Sequence, residues 1–255
     1  MRGVCKDFPD TYWRDLDRRR EYPTDFVKTL TDLGYLSVLI PEQYGGGGLG
    51  VTEAAAIVEE INRSGGNGGA CHAQMYTMGS LVRHGSDDLK QRYLPRIASG
   101  ELRLQAFGVT EPDAGSDTTH ISTRAVKQGD TYVINGRKIF TSRILQSDLM
   151  VLLARTEAYE DVERKTDGMT LFLVDLREAG AAVQVTPVEI MFNQHTNQVY
   201  FSDLEVPAVN VIGREGMGFR HLLDGLNTER ILIASEAIGD GRWFVDRARE
   251  YASTR

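Results

Sequence analysis

"AFGVTEPDAGSDTT", Ala106 to Thr119, lies where the chain changes character. Before it, apolar residues recur at helical spacing; after it, they alternate. How this junction is read therefore decides whether the chain is one continuous fold or several joined regions. The stretch packs the hydroxyls of Thr110 and Ser116, the φ-fixing Pro112 and the φ-permissive Gly115 into one short loop. Such a loop can turn backbone N–H groups and hydroxyls toward one acceptor, which suits a phosphate or the carbonyl-rich edge of a ring. Asp113 and Asp117 would then have to point away from a phosphate. The same residues also fit a plain Asx/Pro turn that caps a strand.

Upstream, helical spacing dominates. In the run from Asp25, Phe26, Val27, Leu30 and Leu33 share a face, and the pattern stops near Gly34. "VTEAAAIVEEI" places Ala54, Ile57, Val58 and Ile61 on one face, and "DDLKQRYLPRI" is a third, short helix. Arg18 to Arg20, bracketed by Asp15, Asp17 and Glu21, is expected to be a solvated helix face. Residues 1 to 105 are expected to form a helical domain.

Downstream, "TYVINGRKIFTS" contains Asn135-Gly136, a pair that favours a tight hairpin. "DLMVLLART", "MTLFLVDL", "AVQVTPV" and "QVYFSDLEV" are short, rich in Val, Leu and Phe, and separated by polar loops. Five or more strands without intervening helices predict a barrel or sandwich over residues 106 to 212, not a doubly wound sheet. From Gly213 the helical period returns and runs to Arg255. The fold class expected is thus α+β and multidomain.

"YGGGGLG", Tyr44 to Gly50, matches G-x-G-x-x-G through Gly45, Gly47 and Gly50. A dinucleotide fingerprint needs a strand before the glycines and a parallel βαβ unit around them. Here Pro41 and a helix end precede them, so a flexible glycine loop between two helices is expected instead.

The chain has 255 residues, 41% of them hydrophobic, enough to bury a real core. A net charge of -7, with no basic patch, argues against nucleic acid as a partner. No stretch approaches the roughly 18 to 20 unbroken apolar residues of a membrane span. The charged start "MRGVCKDFPDTYWRDLDRRR" does not read as a secretory signal, so a cytoplasmic or equally reducing location is expected. Cys5 and Cys71 give no disulfide framework or zinc site. The five histidines show no ligand spacing, so each is expected to be a surface or core residue and no metal site is expected.

In "MGFRHLLDGLNTERILIASEAIG", Leu222, Leu226, Ile233 and Ala237 are expected to form one helical stripe. Glu229 falls within that stripe, where an aliphatic residue belongs. Burying a carboxylate is costly unless it is paired or protonated. From the residues alone, Glu229 is either a boundary residue paired with a neighbouring helix or a group placed for chemistry. Arg230, about 100° round the helix, is a poor direct partner.

Several of these segments, taken in order, resemble the acyl-CoA dehydrogenases, flavoproteins that introduce a trans double bond between Cα and Cβ of an acyl-CoA. The segments are "LGYLSVLIPEQYGGGGLG", "HGSDDLKQRYLPRIASGE", "VTEPDAGSD", "YVINGRKIFTS", "DLEVP" and "GREGMGF", and the similarity runs over essentially the whole chain. The resemblance implies an N-terminal helical domain, a middle β domain, and the first helix of a C-terminal bundle over residues 213 to 255, with the remainder of the bundle lacking. It implies FAD, lined by Phe107, Val109, Thr110, Gly115 and Ser116 on one side and by Phe140, Thr141 and Ser142 on the other. Phe140 stands where relatives usually have Trp, and Ser142 where they have Thr; an aromatic wall and a hydroxyl are kept.

Removing the α proton of a thioester needs a carboxylate whose pKa is raised by burial, and the flavin accepts the Cβ hydride. The isovaleryl-CoA and long-chain branches carry that base at the position matching Glu229, which is therefore the expected catalytic residue. Ser116, Asn227 and Arg230 are the expected substrate contacts. An electron-transfer flavoprotein or similar acceptor, and a homodimer or homotetramer, are the expected partners. An acyl-CoA oxidase or flavin monooxygenase on the same scaffold, or a non-catalytic fragment docking through its last helix, are the competing readings. That helix, without the rest of its bundle, is expected to be exposed or to find another surface.

Overall fold

The computed structural model describes residues 1–193 and 195–255. The N-terminal part comprises α1 (Arg2–Lys6), α2 (Asp10–Arg19), α3 (Thr24–Asp32), α4 (Val51–Arg63), α5 (Gly69–His84) and α6 (Asp87–Ala98). The expected faces of α3 and α4 are buried: Phe26, Val27, Leu30, Ala54, Ile57, Val58 and Ile61 share one cluster. Leu33, expected on the same stripe, lies beyond the last turn of α3 and is exposed. Ser86 caps α6 by accepting a hydrogen bond from the Leu89 N–H at 3.1 Å.

The longest of these helices escaped the sequence pattern. α5 is sealed on several sides at once, with Ala70, Cys71, Ala73, Gln74, Met75, Thr77, Met78, Ser80 and Leu81 all buried. A helix enclosed all round has no polar face to alternate with an apolar one, so it leaves no 3.6-residue signature.

The glycine loop is also not the flexible connector expected. Gly46, Gly47 and Gly48 donate their N–H groups to Pro41, Ser37 and Ile40 carbonyls, at 3.3, 3.0 and 2.9 Å. A Cβ on Gly46 would lie 2.1 Å from the Ile40 carbonyl oxygen. These amides are spent holding the loop flat against residues 37–41, so none is left to cradle a phosphate.

The β region comprises β1 (Leu104–Gly108), β2 (Arg124–Gln128), β3 (Thr131–Ser142), β4 (Leu149–Arg155), β5 (Met169–Asp175), β6 (Val183–Pro187), β7 (Thr196–Pro207) and β8 (Val211–Ile212). They form one sheet in the order β6-β7-β3-β2-β4-β5-β8, with β1 also paired to β4. The two halves join through a single parallel pairing, Arg124 with Arg155. They fold around a shared core in which the Tyr132 and Phe172 rings meet edge-on at 5.0 Å. β4 is buried along its whole length. Its Met150, Leu152 and Ala154 face that core, while Leu149, Val151 and Leu153 face the helices, which accounts for the unbroken apolar run.

The Asn135-Gly136 hairpin does not form. β3 runs straight through both residues, and its turn with β2 falls at Gly129-Asp130. Gly136, at φ 150°, instead marks a bulge against β7, and a Cβ there would lie 2.6 Å from Thr123 Cα. The Asn135 side chain is used across the bulge, exchanging hydrogen bonds with Asp203.

α7 (Gly218–Ser253) is not solitary. It runs antiparallel to α5, as the pairings of Ser80 with the His221 carbonyl and of His72 with Glu236 require, and it packs along α4. Its inward stripe is Gly218, Leu222, Gly225, Leu232, Glu236 and Gly239. Ile233 and Ala237, expected inside, are exposed. The expected stripe failed because close approach is made by glycines: a Cβ on Gly239 would lie 2.3 Å from the Glu59 carbonyl oxygen. Arg242 with Glu59, and Arg247 with Asp10, tie the outer half of α7 to the N-terminal helices.

Candidate active site

β1 delivers the junction loop onto the surface of the sheet. After Gly108, Pro112 and Asp113 form a tight turn in which Glu111 and Ala114 exchange backbone hydrogen bonds at 3.0 and 3.1 Å. The loop is clamped from beneath by Lys138, whose Nζ donates to the Val109 carbonyl at 3.0 Å and to Glu111 Oε1 at 2.8 Å. Glu111 also accepts from the Ser122 and Thr123 N–H groups. Burial alone would raise the Glu111 carboxyl, but Lys138 and these donors outweigh it and hold it at about 2. Glu111 is thus a structural anchor. Asp113 pairs with Arg137 at 2.6 Å, and Asp117 accepts from Thr119 and pairs with His120, so neither is an unpaired charge toward a ligand. Phe107, Val109 and Thr110 are half-buried and Gly115 and Ser116 exposed, an open ledge rather than a closed turn.

Beside this ledge, β3 slips register against β7 between Lys138 and Thr141. Strict alternation would send Phe140 inward with Lys138. The slip, with Phe140 at φ 59°, turns its ring out to 59% exposure while Lys138 and Thr141 stay buried. A bulky residue in the left-handed region costs free energy and marks a place where the chain is held for another purpose. Among the described residues Thr141 Oγ1 is buried without a hydrogen-bond partner, and Ser142 Oγ lies 3.2 Å from Thr196 Oγ1. An outward aromatic wall next to an orphaned hydroxyl fits a planar ring with a polar edge, as in FAD.

The second wall comes from α5 and α7. Glu229 is half-buried on the inward side of α7, in step with Leu222, Gly225, Leu232 and Glu236. Burial raises its carboxyl above the ordinary value, with His72 and Arg230 pulling weakly the other way. The antiparallel register sets Tyr76 of α5 opposite Glu229, and the phenol of Tyr76 is itself pushed up by burial and by that carboxylate. The Tyr76 ring meets Phe107 edge-on at 5.9 Å. Glu229 and the start of the ledge therefore flank the same aromatic ring. Asn227 and Arg230, on the outer side of α7, are exposed and bonded to each other at 2.7 Å.

Four further groups border this gap that the sequence did not single out. His72 Nδ1 lies 2.6 Å from Glu236 Oε1, and the His72 ring is tilted against Tyr76 at 5.5 Å. Arg143, just past the end of β3 and also left-handed (φ 58°), is buried, and the charges of Tyr22, Tyr76, Cys71 and Glu236 are felt there. A usable signal existed for two of them. Glu236 repeats Glu229 after seven residues, and His72 precedes Tyr76 by four, each pair on one helix face.

Comparison with known proteins accords with this arrangement. Residues 1–101 match the acyl-CoA dehydrogenase N-terminal domain, and residues 106–204 the acyl-CoA dehydrogenase middle domain. Cyclohex-1-ene-1-carbonyl-CoA dehydrogenase of Syntrophus aciditrophicus is 35% identical over 94% of this chain and 58% of its own length. The 3-(aryl)acrylate reductase of Clostridium sporogenes is 32% identical over 100% of this chain and 68% of its own. The crystal structure of an acyl-CoA dehydrogenase from Geobacillus kaustophilus superposes on the whole chain with a TM-score of 0.91 at 29% identity, covering 67% of that structure. The chain spans 58% of the length of the first of these relatives. The chain belongs to the acyl-CoA dehydrogenase family.

Proposed function

We propose that this chain forms the flavin-facing ledge and carries the catalytic base of an FAD-dependent acyl-CoA dehydrogenase yielding a trans-2-enoyl-CoA. The observation that carries this reading is Glu229: a half-buried carboxylate, raised by its burial, facing Tyr76 and through it Phe107. The domains would divide at 1–105, 106–212 and 213–255.

In this reading Phe107, Val109, Thr110, Gly115 and Ser116, with Phe140, Thr141 and Ser142, would hold the flavin, Phe140 against the ring and the Thr141 hydroxyl serving its polar edge. When bound, FAD would supply the acceptor for the Cβ hydride. Glu229 takes the α proton onto its carboxylate. Its environment makes it a stronger base than a solvated glutamate, and the apolar surroundings of Leu226 and Phe107 keep water from competing. Ser116 would reach the thioester arm, while Asn227 and Arg230 would meet the substrate at the outer edge of α7. A homo-oligomer and an electron-transfer flavoprotein as electron acceptor complete the reading.

The test is anaerobic addition of an acyl-CoA to the FAD-loaded full-length protein, followed by absorbance and mass spectrometry. Loss of the oxidised flavin bands together with a product two hydrogens lighter is expected. Unchanged bands with a range of thioesters would refute the reading. Rapid oxygen uptake on admitting air would move the assignment to an oxidase.

A further inference from the structure

Two imidazoles meet where α7 begins. His84, the last residue of α5, and His221, in the first turn of α7, stack with ring centroids 4.2 Å apart and planes inclined by 24°. His221 Nε2 accepts a hydrogen bond from the Arg214 N–H at 3.1 Å. A ring nitrogen that accepts carries no proton, so His221 is neutral in this arrangement, with its hydrogen on Nδ1. Gly213 abuts the same ring, and a Cβ there would lie 2.4 Å from His221 Cδ2. His84 is held from another side, its Nε2 2.7 Å from Asp224 Oδ2, and Asp224 also pairs with Arg83 at 3.4 Å.

The Arg214 bond fastens the link between β8 and α7. Toward the sheet, the Gly216 N–H donates to Thr170 Oγ1 at 2.9 Å, and the Gly216 carbonyl accepts from the Gly168 N–H at 3.0 Å. Toward α7, the side chain that receives the link is His221, whose own carbonyl accepts from Ser80 of α5 at 3.1 Å. One imidazole thus joins the link, α7 and α5.

A proton on His221 Nε2 would turn the acceptor into a donor and leave the Arg214 N–H facing another N–H. The new cation would also stand in the first turn of α7, where the helix dipole disfavours it, and against the His84 ring. The charged and titratable groups around the pair are Arg83 and His84 of α5, Asp224 of α7, Arg214 of the link, and Lys90, which α6 brings beside Gly85. Burial, and then the charge of His84, push the His221 imidazole below its ordinary 6.5, with Asp224 pulling the other way. The folded ring therefore binds its proton more weakly than the unfolded one. Its fastening is complete above 6.5 and is lost as pH falls through the lowered value.

We propose that the stacked pair His84 and His221 is a pH-sensitive latch: neutral His221 fastens the 213–217 link to α7, and protonation of its Nε2 releases that link from the helix that carries Glu229. The latch stands independently of the acyl-CoA reading.

The experiment is hydrogen exchange read by mass spectrometry on the full-length protein, between about pH 7.5 and about pH 5, the range in which histidine changes charge. Rates are corrected for the intrinsic pH dependence of amide exchange, and a peptide from β4 serves as the control. Protection of the peptide containing Arg214 should fall by about three- to tenfold toward acid, the range of one net hydrogen bond, while β4 keeps its protection. His221→Gln, which cannot titrate, should abolish the pH dependence. His84→Gln, which removes the opposing charge but leaves His221, should move the loss to higher pH. Constant protection in the parent, an equal loss in His221→Gln, or a loss shared by β4 would overturn the latch. A midpoint in His84→Gln no higher than the parent's would overturn the role of the stacked pair, and this variant decides the matter should His221→Gln fail to fold.

Discussion

Lys138 Nζ lies 2.8 Å from Glu111 Oε1, and both side chains are shut off from solvent. This pair joins the third strand to the ledge, since Lys138 also holds the Val109 carbonyl and Glu111 gathers the chain at Ser122 and Thr123. Removing one partner strands a buried charge, which costs about 3–5 kcal/mol. Lys138→Met or Glu111→Gln should therefore lower the unfolding midpoint in urea sharply, and the double replacement Lys138→Met with Glu111→Leu should cost less than the two single changes added together. The carboxyl is held at about 2, below its ordinary 4.5. Its contribution is fully present above the ordinary value and is lost as pH falls from there toward 2. Equal pH dependence in the parent and in Glu111→Gln would contradict this.

Glu229 is expected to be destabilising where it sits. Its carboxyl is raised by burial, so the ionised form carries a penalty that is present at neutral pH and relieved as pH falls through the raised value. Thermal unfolding at neutral pH should therefore show Glu229→Gln to be more stable than the parent, with the difference vanishing in acid. A Gln variant less stable at neutral pH would mean that the carboxylate is paired in the fold.

Two glycines of α7 offer a contrast within one helix. Gly239 presses on the Glu59 carbonyl, whereas a Cβ on Gly241 would meet nothing within 4 Å. Gly239→Ala should destabilise by about 1–3 kcal/mol through forced separation of α7 from α4. Gly241→Ala should stabilise by up to about 1 kcal/mol through helix propensity. Denaturant melts that rank the two variants the other way would show that α7 does not pack as described.

Phe140 separates binding from folding. Its ring is 59% exposed, so Phe140→Ala should leave unfolding within about 0.5 kcal/mol of the parent. If the ring backs the flavin, FAD affinity measured by fluorescence quenching should weaken by about tenfold, the scale of a lost aromatic contact. Unchanged FAD affinity would remove Phe140 from the cofactor wall.

Amphipathic and half-buried elements were legible in the sequence because their environment alternates: α3, α4, α6 and most strands follow from spacing. Helices whose packing faces follow no amphipathic stripe were not. α5 is enclosed all round, and α7 meets its neighbours through Gly225 and Gly239, which no apolar pattern marks. Asn135-Gly136 shows how a strong turn signal is overridden when β7 and Thr123 already occupy both sides of the strand. At the site, the motif residues are local in sequence and so could be read. His72, Tyr76, Arg143 and Glu236 come from three separate elements, and only the antiparallel docking of α7 on α5 brings them to one gap.

The most direct measurement is the anaerobic stopped-flow rate of flavin bleaching by an acyl-CoA in the FAD-loaded full-length protein, parent against Glu229→Gln. With FAD still bound, the variant should bleach about a hundredfold to ten-thousandfold more slowly, the range spanned by a positioned general base. In the parent, the rate should climb with pH through a midpoint above the ordinary carboxylate value of 4.5. Bleaching by the Gln variant at the parent's rate would show that the α proton leaves to another group.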